Sequence, residues 1–442
     1  MIKKLFPILL IILMIGSWAS IIVTAYSKPK QYNEYLREGD RLAEDALYVK
    51  AVEQYKLAYS VEPSETVLDK MLDSYQKMGD KKTYLSMCFE GIQKYPNYEK
   101  VYERILEYYS ENDNENFAKY AVEYKRKFSD NETINNYYKA AAERVYITDN
   151  MKEEPQRLSE DMYWYFENEY DPEKQETVKY ALVRNLSGKK IYKGQYKNIK
   201  AADNGFFVQD MDELWSFISK EGYLKAKTQR TTLTDICGKA AGFYVVINDG
   251  HYTLMNQDMQ FAQAEYDFIS CSSDGIYAVC KDGKWAIVDD TVISYDGEYP
   301  YDEIKINSNG YCSVNNRIVV KQDGKYKIIN AKQETLLECS YEEVKAYEDT
   351  QPTVYKDKTG YGYMRSDGSV LIEAQFEDAM PYKGGAAAIK VNGKWGYIDQ
   401  YGNVIVAPQF EQVTNILSDG KAFVLDSNGY WSILTIPVLQ YL

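Results

Sequence analysis

Residues 393 to 426 read GKWGYIDQYGNVIVAPQFEQVTNILSDGKAFVLD. Four strand-like runs, Trp395 to Asp399, Val404 to Ala407, Phe410 to Ile416 and Lys421 to Leu425, are parted by turn-forming residues, which is the pattern of a small antiparallel meander. The leading aromatic of this unit returns at Tyr180, Trp215, Tyr252, Trp285, Tyr326, Tyr361, Trp395 and Trp431, at intervals of 35, 37, 33, 41, 35, 34 and 36 residues. A second column keeps the same register: YKNI from 196, YDFI from 266, YDEI from 301, YEEV from 341, FEDA from 376 and FEQV from 410. Two columns on one period make the second half of the chain an all-β repeat array. A single meander cannot bury its aromatic face alone, so neighbouring units must stack. The polar residues between the column positions, Asp302 and Glu303 for instance, are expected on the opposite, wet side.

The pair Trp395-Gly396, softened to Tyr361-Gly362, carries a resemblance to the WG-repeat family. The resemblance covers about 260 residues, strongest at 393 to 426 and 360 to 392, moderate at 283 to 310 and weak at 178 to 250. It implies a bacterial repeat protein and says more about architecture than activity. Trp285 and Trp431 are followed by Ala and Ser, so not every unit requires the glycine. Units of about 35 residues with four strands suit short propeller blades. Seven units fill 178 to 429. The remaining segments Tyr430 to Leu434 and Val438 to Leu442 read as first and second strands, and Val145 to Thr148 with Met162 to Asn168 as third and fourth. An eighth, split blade is therefore expected to close the ring, with a seven-bladed ring or an open curved stack as alternatives.

Upstream, residues 36 to 63 read LREGDRLAEDALYVKAVEQYKLAYSVEP. Ala51, Tyr55 and Ala58 share one helix face, small Gly39 and Ala51 allow two helices to cross closely, and Pro63 ends the second helix. This small–aromatic–small–proline spacing resembles the tetratricopeptide repeat. A second unit ends at Tyr95-Pro96 and a third spans roughly 98 to 129, followed by a last helix at 131 to 145. The resemblance implies a concave groove for a peptide, with Asn33, Leu36 and Asp40 as candidate groove residues; a rigid spacer is the bland alternative.

Residues 5 to 26, LFPILLIILMIGSWASIIVTAY, carry no charge and follow Lys3 and Lys4. As a helix they would span about 33 Å at about 1.5 Å per residue, against a hydrocarbon core of about 30 Å. With positive charge inside, the expectation is a single-pass cell-membrane protein with a cytoplasmic N-terminus and an extracytoplasmic bulk. Val23-Thr24-Ala25 leaves a cleaved signal peptide open, which would make the chain secreted. The expected plan is thus multidomain: an anchor at 1–27, a tetratricopeptide-like solenoid at 28–145, a junction at 146–177 that contributes to the split blade, and a β-propeller of 7–8 short blades at 178–442.

Composition excludes several functions. Net charge is −14, which disfavours nucleic acid, whose phosphates require a basic surface. The single histidine, His251, sits where other units carry Lys, so Ser-His-Asp, Cys-His and His-ligated zinc chemistry lack parts. The six cysteines form no Cys-x-x-Cys pair; buried free thiols are expected, with a Cys271–Cys280 bridge as the alternative. No phosphate-binding glycine loop is present, and the acidic turns at 289–291 and 348–350 are not calcium loops. No cofactor or metal is expected. The functional expectation is a non-enzymatic binding or scaffolding protein, offering an aromatic-rimmed surface to a protein or a cell-wall glycan. The alternatives are a carboxylate-based glycan hydrolase in the ring and a sensory or assembly subunit of a membrane complex.

Overall fold

The computed structural model describes residues 28–442 apart from 174, 229–231, 241, 263, 350 and 351. Contacts divide the chain into two compact units at Ala141/Ala142.

Seven helices make up the described part of the first unit: α1 (28–44), α2 (Tyr48–Val61), α3 (Glu65–Met78), α4 (Lys81–Lys94), α5 (Glu99–Asn112), α6 (Asn114–Lys127) and α7 (Glu132–Ala142). Helices α3, α5 and α7 begin at Glu65, Glu99 and Glu132, steps of 34 and 33 residues. Their boundaries are written locally. Ser64 and Asp80 accept N-terminal amides of α3 and α4, and Gly79 ends α3 in the left-handed region at φ 71°. Where α1 crosses α2, a Cβ on Gly39 would lie 2.5 Å from the Tyr55 ring, so the helices meet at van der Waals distance.

No helix among the described residues is long and apolar enough to cross a membrane. Helices α2 to α6 have 14 residues each, about 21 Å of rise, and carry charged faces. The expected span at 5–26 lies outside the described residues. The single-pass architecture and the cell-membrane localisation that followed from it are corrected accordingly: the described fold is helices followed by a propeller, with no transmembrane helix.

The second unit is an eight-bladed β-propeller. Eight antiparallel sheets follow one another. Blade 1 holds Gln156–Arg157, Met162–Asp171, Glu176–Asn185 and Lys190–Gly194, and blade 2 holds Asn198–Ala202, Gly205–Gln209, Trp215–Ser219 and Leu224–Lys227. Blades 3 and 4 have three strands each, ending at His251–Met255 and Lys284–Val288, and isolated bridges at Tyr252↔Tyr266 and Trp285↔Tyr301 take the place of a fourth. Blades 5, 6 and 7 open at Glu303–Ile304, Glu343–Val344 and Asp378–Ala379. Blade 8 consists of Gln412–Val413, Lys421–Leu425, Trp431–Thr435 and, as its outermost strand, Tyr146–Met151.

Two expectations are corrected here. The leading aromatics stand on third strands, so the sequence repeat straddles two blades: it supplies the last two strands of one and the first two of the next. The column partners meet across strands, as in Trp395↔Phe410 and Tyr361↔Phe376. Closure also differs from the expected plan. Residues 146–151 pair with the third strand of blade 8 (Ile147↔Leu434, Met151↔Trp431), whereas 162–171 pair inside blade 1 with 176–185. Residues 438–441 lie in the 3-10 helix Pro437–Tyr441 and form no strand. The segment 146–177 thus belongs to the ring. Buried clusters are shared by consecutive blades, and the one that closes the circle joins Tyr163, Tyr165 and Leu182 of blade 1 to Met151, Phe423 and Trp431 of blade 8.

Candidate functional site

In the helical unit, Asn33 is exposed, and its carbonyl accepts from Arg37 Nε at 3.3 Å. Leu36 packs against the cluster around Leu42 and Tyr55. Asp40 is held by Lys70 Nζ at 2.7 Å and Tyr55 Oη at 2.8 Å. The pattern repeats one unit on, where Asp69 accepts from Tyr98 Oη and pairs with Lys100 and Arg104, and Asp73 pairs with Arg104. These charges tie consecutive units together, so the three candidates do not converge on one pocket.

In the ring, the repeat aromatics are mostly structural. Trp215 is fully buried, and Tyr326, Trp395 and Trp431 are nearly so. Tyr180, Tyr252, Trp285 and Tyr361 are half-buried and covered by neighbours: Lys193 over Tyr180, Phe268 against both Tyr252 and Trp285, and Lys345 over Tyr361. The acids of the second column do not simply face water. Asp302 accepts from Lys284 Nζ at 2.7 Å in the preceding blade and from Gly324 N at 3.0 Å in its own, and these bonds hold its carboxyl below the usual range. Glu377 likewise accepts from Gly393 N at 2.9 Å, and Glu411 pairs with Lys394. Repetition of acids therefore reflects fastening of turns within blades and stapling between them.

His251 begins the third strand of blade 3 and is exposed. All six cysteines are free thiols: five are buried, Cys271 and Cys280 among them, and Cys237 is half-buried. Burial pushes the thiol of Cys271 up to about 11 and those of Cys88, Cys237 and Cys312 to about 12. Among the described residues no group of three or more His, Cys, Asp or Glu is placed to hold a metal.

The site with the most built geometry lies where the loops between first and second strands converge. Arg157, on the first strand of blade 1, reaches Asn309 of blade 5 at 2.7 Å, half-way round a ring of eight. Arg157 also pairs with Glu160, which receives Lys383 of blade 7 at 3.3 Å. The Glu160 carbonyl accepts from Ser418 N of blade 8 at 3.2 Å. Burial is the main cause of a lowered Lys383 pKa, and the Arg157 charge adds to it; Glu160 and Glu348 act in the opposite sense. The same loops are joined pairwise: Ser313 to Asp274 at 2.7 Å, Ser308 Oγ to Glu348 at 2.8 Å, and Gly384 N to Asp349 at 3.4 Å.

Beside this network opens a cleft of about 770 Å³, lined in part by Asp274, Asn309, Tyr311, Asn316, Glu348 and Asp349. One wall is an extra hairpin of blade 5, in which Ser313–Val314 pairs with Arg317 and Ile318. Its turn residues Asn315 and Asn316 have φ 49° and 59°, the left-handed pair that a two-residue primed turn requires. Sequence reading passed over this cleft, although a signal was present. The interval from Trp285 to Tyr326, 41 residues, is the longest of the series, and the surplus is this hairpin. In the sequence Glu348 and Asp349 mark only an acidic turn. Asp274 and Glu348 are held there by neutral donors, including Ile276 N at 3.1 Å and Ser308 N at 2.6 Å. Cleft and network together carry the carboxylates of Asp274, Glu348, Asp349 and Glu160 against the cations Arg157 and Lys383.

The family described as WG containing repeat matches this chain at residues 252–285, 361–395 and 395–431. Each match runs from one third-strand aromatic to the next, the straddling unit described above. No curated protein matches the chain in sequence. Solved structures that resemble it include the Cps50 (Swd1) β-propeller domain of Myceliophteria thermophila, at 10% identity over 55% of this chain and 97% of that one, with a TM-score of 0.33. Hsv2 of Kluyveromyces lactis matches at 11% identity over 65% and 96%, also at 0.33. The Pan2 WD40 domain of Neurospora crassa matches at 9% identity over 64% and 90%, at 0.32. Nothing about the activity of this chain rests on likenesses of that size.

Proposed function

We propose that the protein is a non-catalytic scaffold whose propeller docks a protein partner over the cleft formed by the loops of blades 4 to 6. The observation that carries this reading is the cleft itself, about 770 Å³, bounded by more carboxylates than cations in a chain of net charge −14. Such a surface favours a partner segment bearing Lys or Arg, and steers it in before contact. A glycan surface is the weaker reading, because the repeat rings that would stack on sugar are turned into the blades or covered. A carboxylate hydrolase is also weaker, since the repeating acids are engaged in holding turns within a blade and in joining blades.

The test is site-specific photocrosslinking in the native cell. A photoreactive residue at Asn315, on the cleft wall, is expected to trap a discrete partner. The same residue at Leu336, exposed on the outer strand of blade 5, is expected to trap none. Reversing the charge at Glu348 (E348K) should abolish the Asn315 adduct while leaving near-ultraviolet circular dichroism unchanged. Equal trapping from both positions, or an adduct indifferent to E348K, refutes the reading.

A further inference from the structure

The helical unit holds a slot of its own, independent of the ring. Between α3, α4 and α5 lies a slot of about 110 Å³ walled by Tyr75, Tyr84 and Tyr108, with Glu107, Glu111 and Lys81 at its rim. Each wall follows from helix phase. Tyr75 closes the buried face of α3, Tyr84 leads the buried face of α4, and Tyr108 stands half-exposed on α5. The Tyr84 and Tyr108 rings are 6.4 Å apart and tilted by 35°, and Tyr109 braces Tyr108 edge-on at 5.3 Å. The slot is therefore aromatic, narrow and held from behind.

The rim is charged in one sense. Glu103, Glu107 and Glu111 follow one another at i, i+4 and i+8 on α5, an arrangement of like charges that disfavours a helix unless a cation is near. Glu103 accepts from Asn131 Nδ2 at 3.0 Å, a neutral donor. Glu107 and Glu111 are both exposed beside the slot. Two cations of the unit stand close, and both have partners. Lys81 is turned to Asn112 Oδ1 at 2.8 Å, and Arg104, next to Tyr84, is matched by Asp69 and Asp73. Electron-rich ring faces under a carboxylate rim are the environment that attracts an organic ammonium. A cavity of this size admits the end of one side chain and no larger ring system.

We propose that this slot takes the side chain of a lysine from an extended segment of a partner protein, with the ammonium at the slot mouth against the Tyr84 and Tyr108 pair and facing Glu107 and Glu111. The methylene stem lies along the tyrosine rings, as such stems do on apolar surface. The site works without the ring cleft, so each fails or stands alone.

Saturation-transfer NMR on the full chain tests it, with N-acetyl-lysine methylamide as the probe and the norleucine analogue as its neutral match. The lysine probe should be saturated and the norleucine probe should not. In E107Q/E111Q, which keeps the side-chain shapes, affinity should fall about threefold to fivefold, and in Y108L by a similar factor. In K81M, where a competing cation is gone, affinity should rise by about twofold or more. Helical circular dichroism at parental strength certifies each variant. Equal saturation of the norleucine probe, an affinity unchanged in E107Q/E111Q, or weaker binding in K81M would overturn the assignment.

Discussion

Replacing Gly396 with alanine isolates what the Trp-Gly pair does. Gly396 lies in the third strand of blade 7, where pairing with the outer strand jumps from Trp395↔Phe410 to Tyr397↔Val406. This irregularity brings the outer backbone beneath the glycine. A Cβ there would sit 2.4 Å from Val406 O, 2.6 Å from Pro408 N and 2.9 Å from Ala407 C. Backbone atoms cannot swing aside as a side-chain tip does, so the outer strand must move. Gly362 in blade 6 meets the same obstacle, at 2.6 Å from Ile372 O and 2.8 Å from Ala374 N. Forcing extra volume into such a contact costs about 1–3 kcal/mol, and one loosened strand hydrogen bond adds about 1 kcal/mol. We take about 3 kcal/mol for G396A. At about 2–4 °C per kcal/mol for a domain of this class, melting should fall by roughly 6–12 °C. The sign is diagnostic, because alanine for glycine at an unobstructed position stabilises by about 0.4–1 kcal/mol. Every tryptophan among the described residues lies in the ring, whereas the helices are rich in tyrosine, so selectively excited tryptophan fluorescence on heating follows the ring rather than the helices. A G396A melt equal to or above the parent would refute the steric account of the motif.

Two further outcomes follow from closure and burial. Met151, 3% exposed between blades 8 and 1, should tolerate charge poorly: M151K buries an unpaired ammonium at a cost of several kcal/mol, and hydrogen exchange should quicken at 421–435 and 162–166 while 277–288 stays protected; uniform loss or no change would remove 146–151 from its closing role. The raised thiols of Cys88, Cys237, Cys271 and Cys312 favour the neutral form in the fold, so they contribute stability below the ordinary thiol range of about 8.5 that is lost as pH rises toward 11–12; an aromatic disulfide reagent at pH 8 should react with them slowly in the native protein and fast after unfolding, and rapid native labelling would contradict this burial.

The period, the turn residues and three of the four strand runs in the best unit were legible, because they depend on local alternation and on glycine placement, whereas the expected strand Phe410 to Ile416 covers only the end of Val404–Phe410 and the two-residue strand Gln412–Val413. Trp395 to Asp399 and Lys421 to Leu425 lie within strands Lys394–Asp399 and Lys421–Leu425. The grouping of strands into blades was not legible. Alternation reports which residues share a face and carries no mark of which neighbour a strand pairs with, so a unit cut at Trp395 looks as whole as one cut at Gln412. The closing strand was legible in part. Val145 to Thr148 is expected in the split blade and 146–151 does complete it, although exposed Tyr146 and Ile147 give it little apolar signature; the greasier Met162–Phe166 run, expected beside it, belongs to blade 1. The membrane expectation came from 5–26, outside the described residues, and no described helix supplies a span. The cleft is not marked by any residue motif; its one trace in the sequence is the 41-residue interval flanked by 33 and 35, where an added wall lengthens the repeat.

The half-unit offset between repeat and blade also explains why the ring needs its N-terminal strand. If each repeat folded as one blade, the boundaries between blades would rest on side-chain packing alone, and the ring could part at any of them. Here a repeat such as 395–431 builds the outer half of blade 7 and the inner half of blade 8, so the chain itself crosses each boundary with hydrogen-bonded strands on both sides. A linear run of such units leaves one blade without an outer strand at its end, where Trp431–Thr435 would present an open edge ready to pair with another chain. Tyr146–Met151 covers that edge, and it does so at the meeting point of the ring's two ends. The contact of Arg157 with Asn309, between blades 1 and 5, then braces across the centre what the strand fastens at the rim.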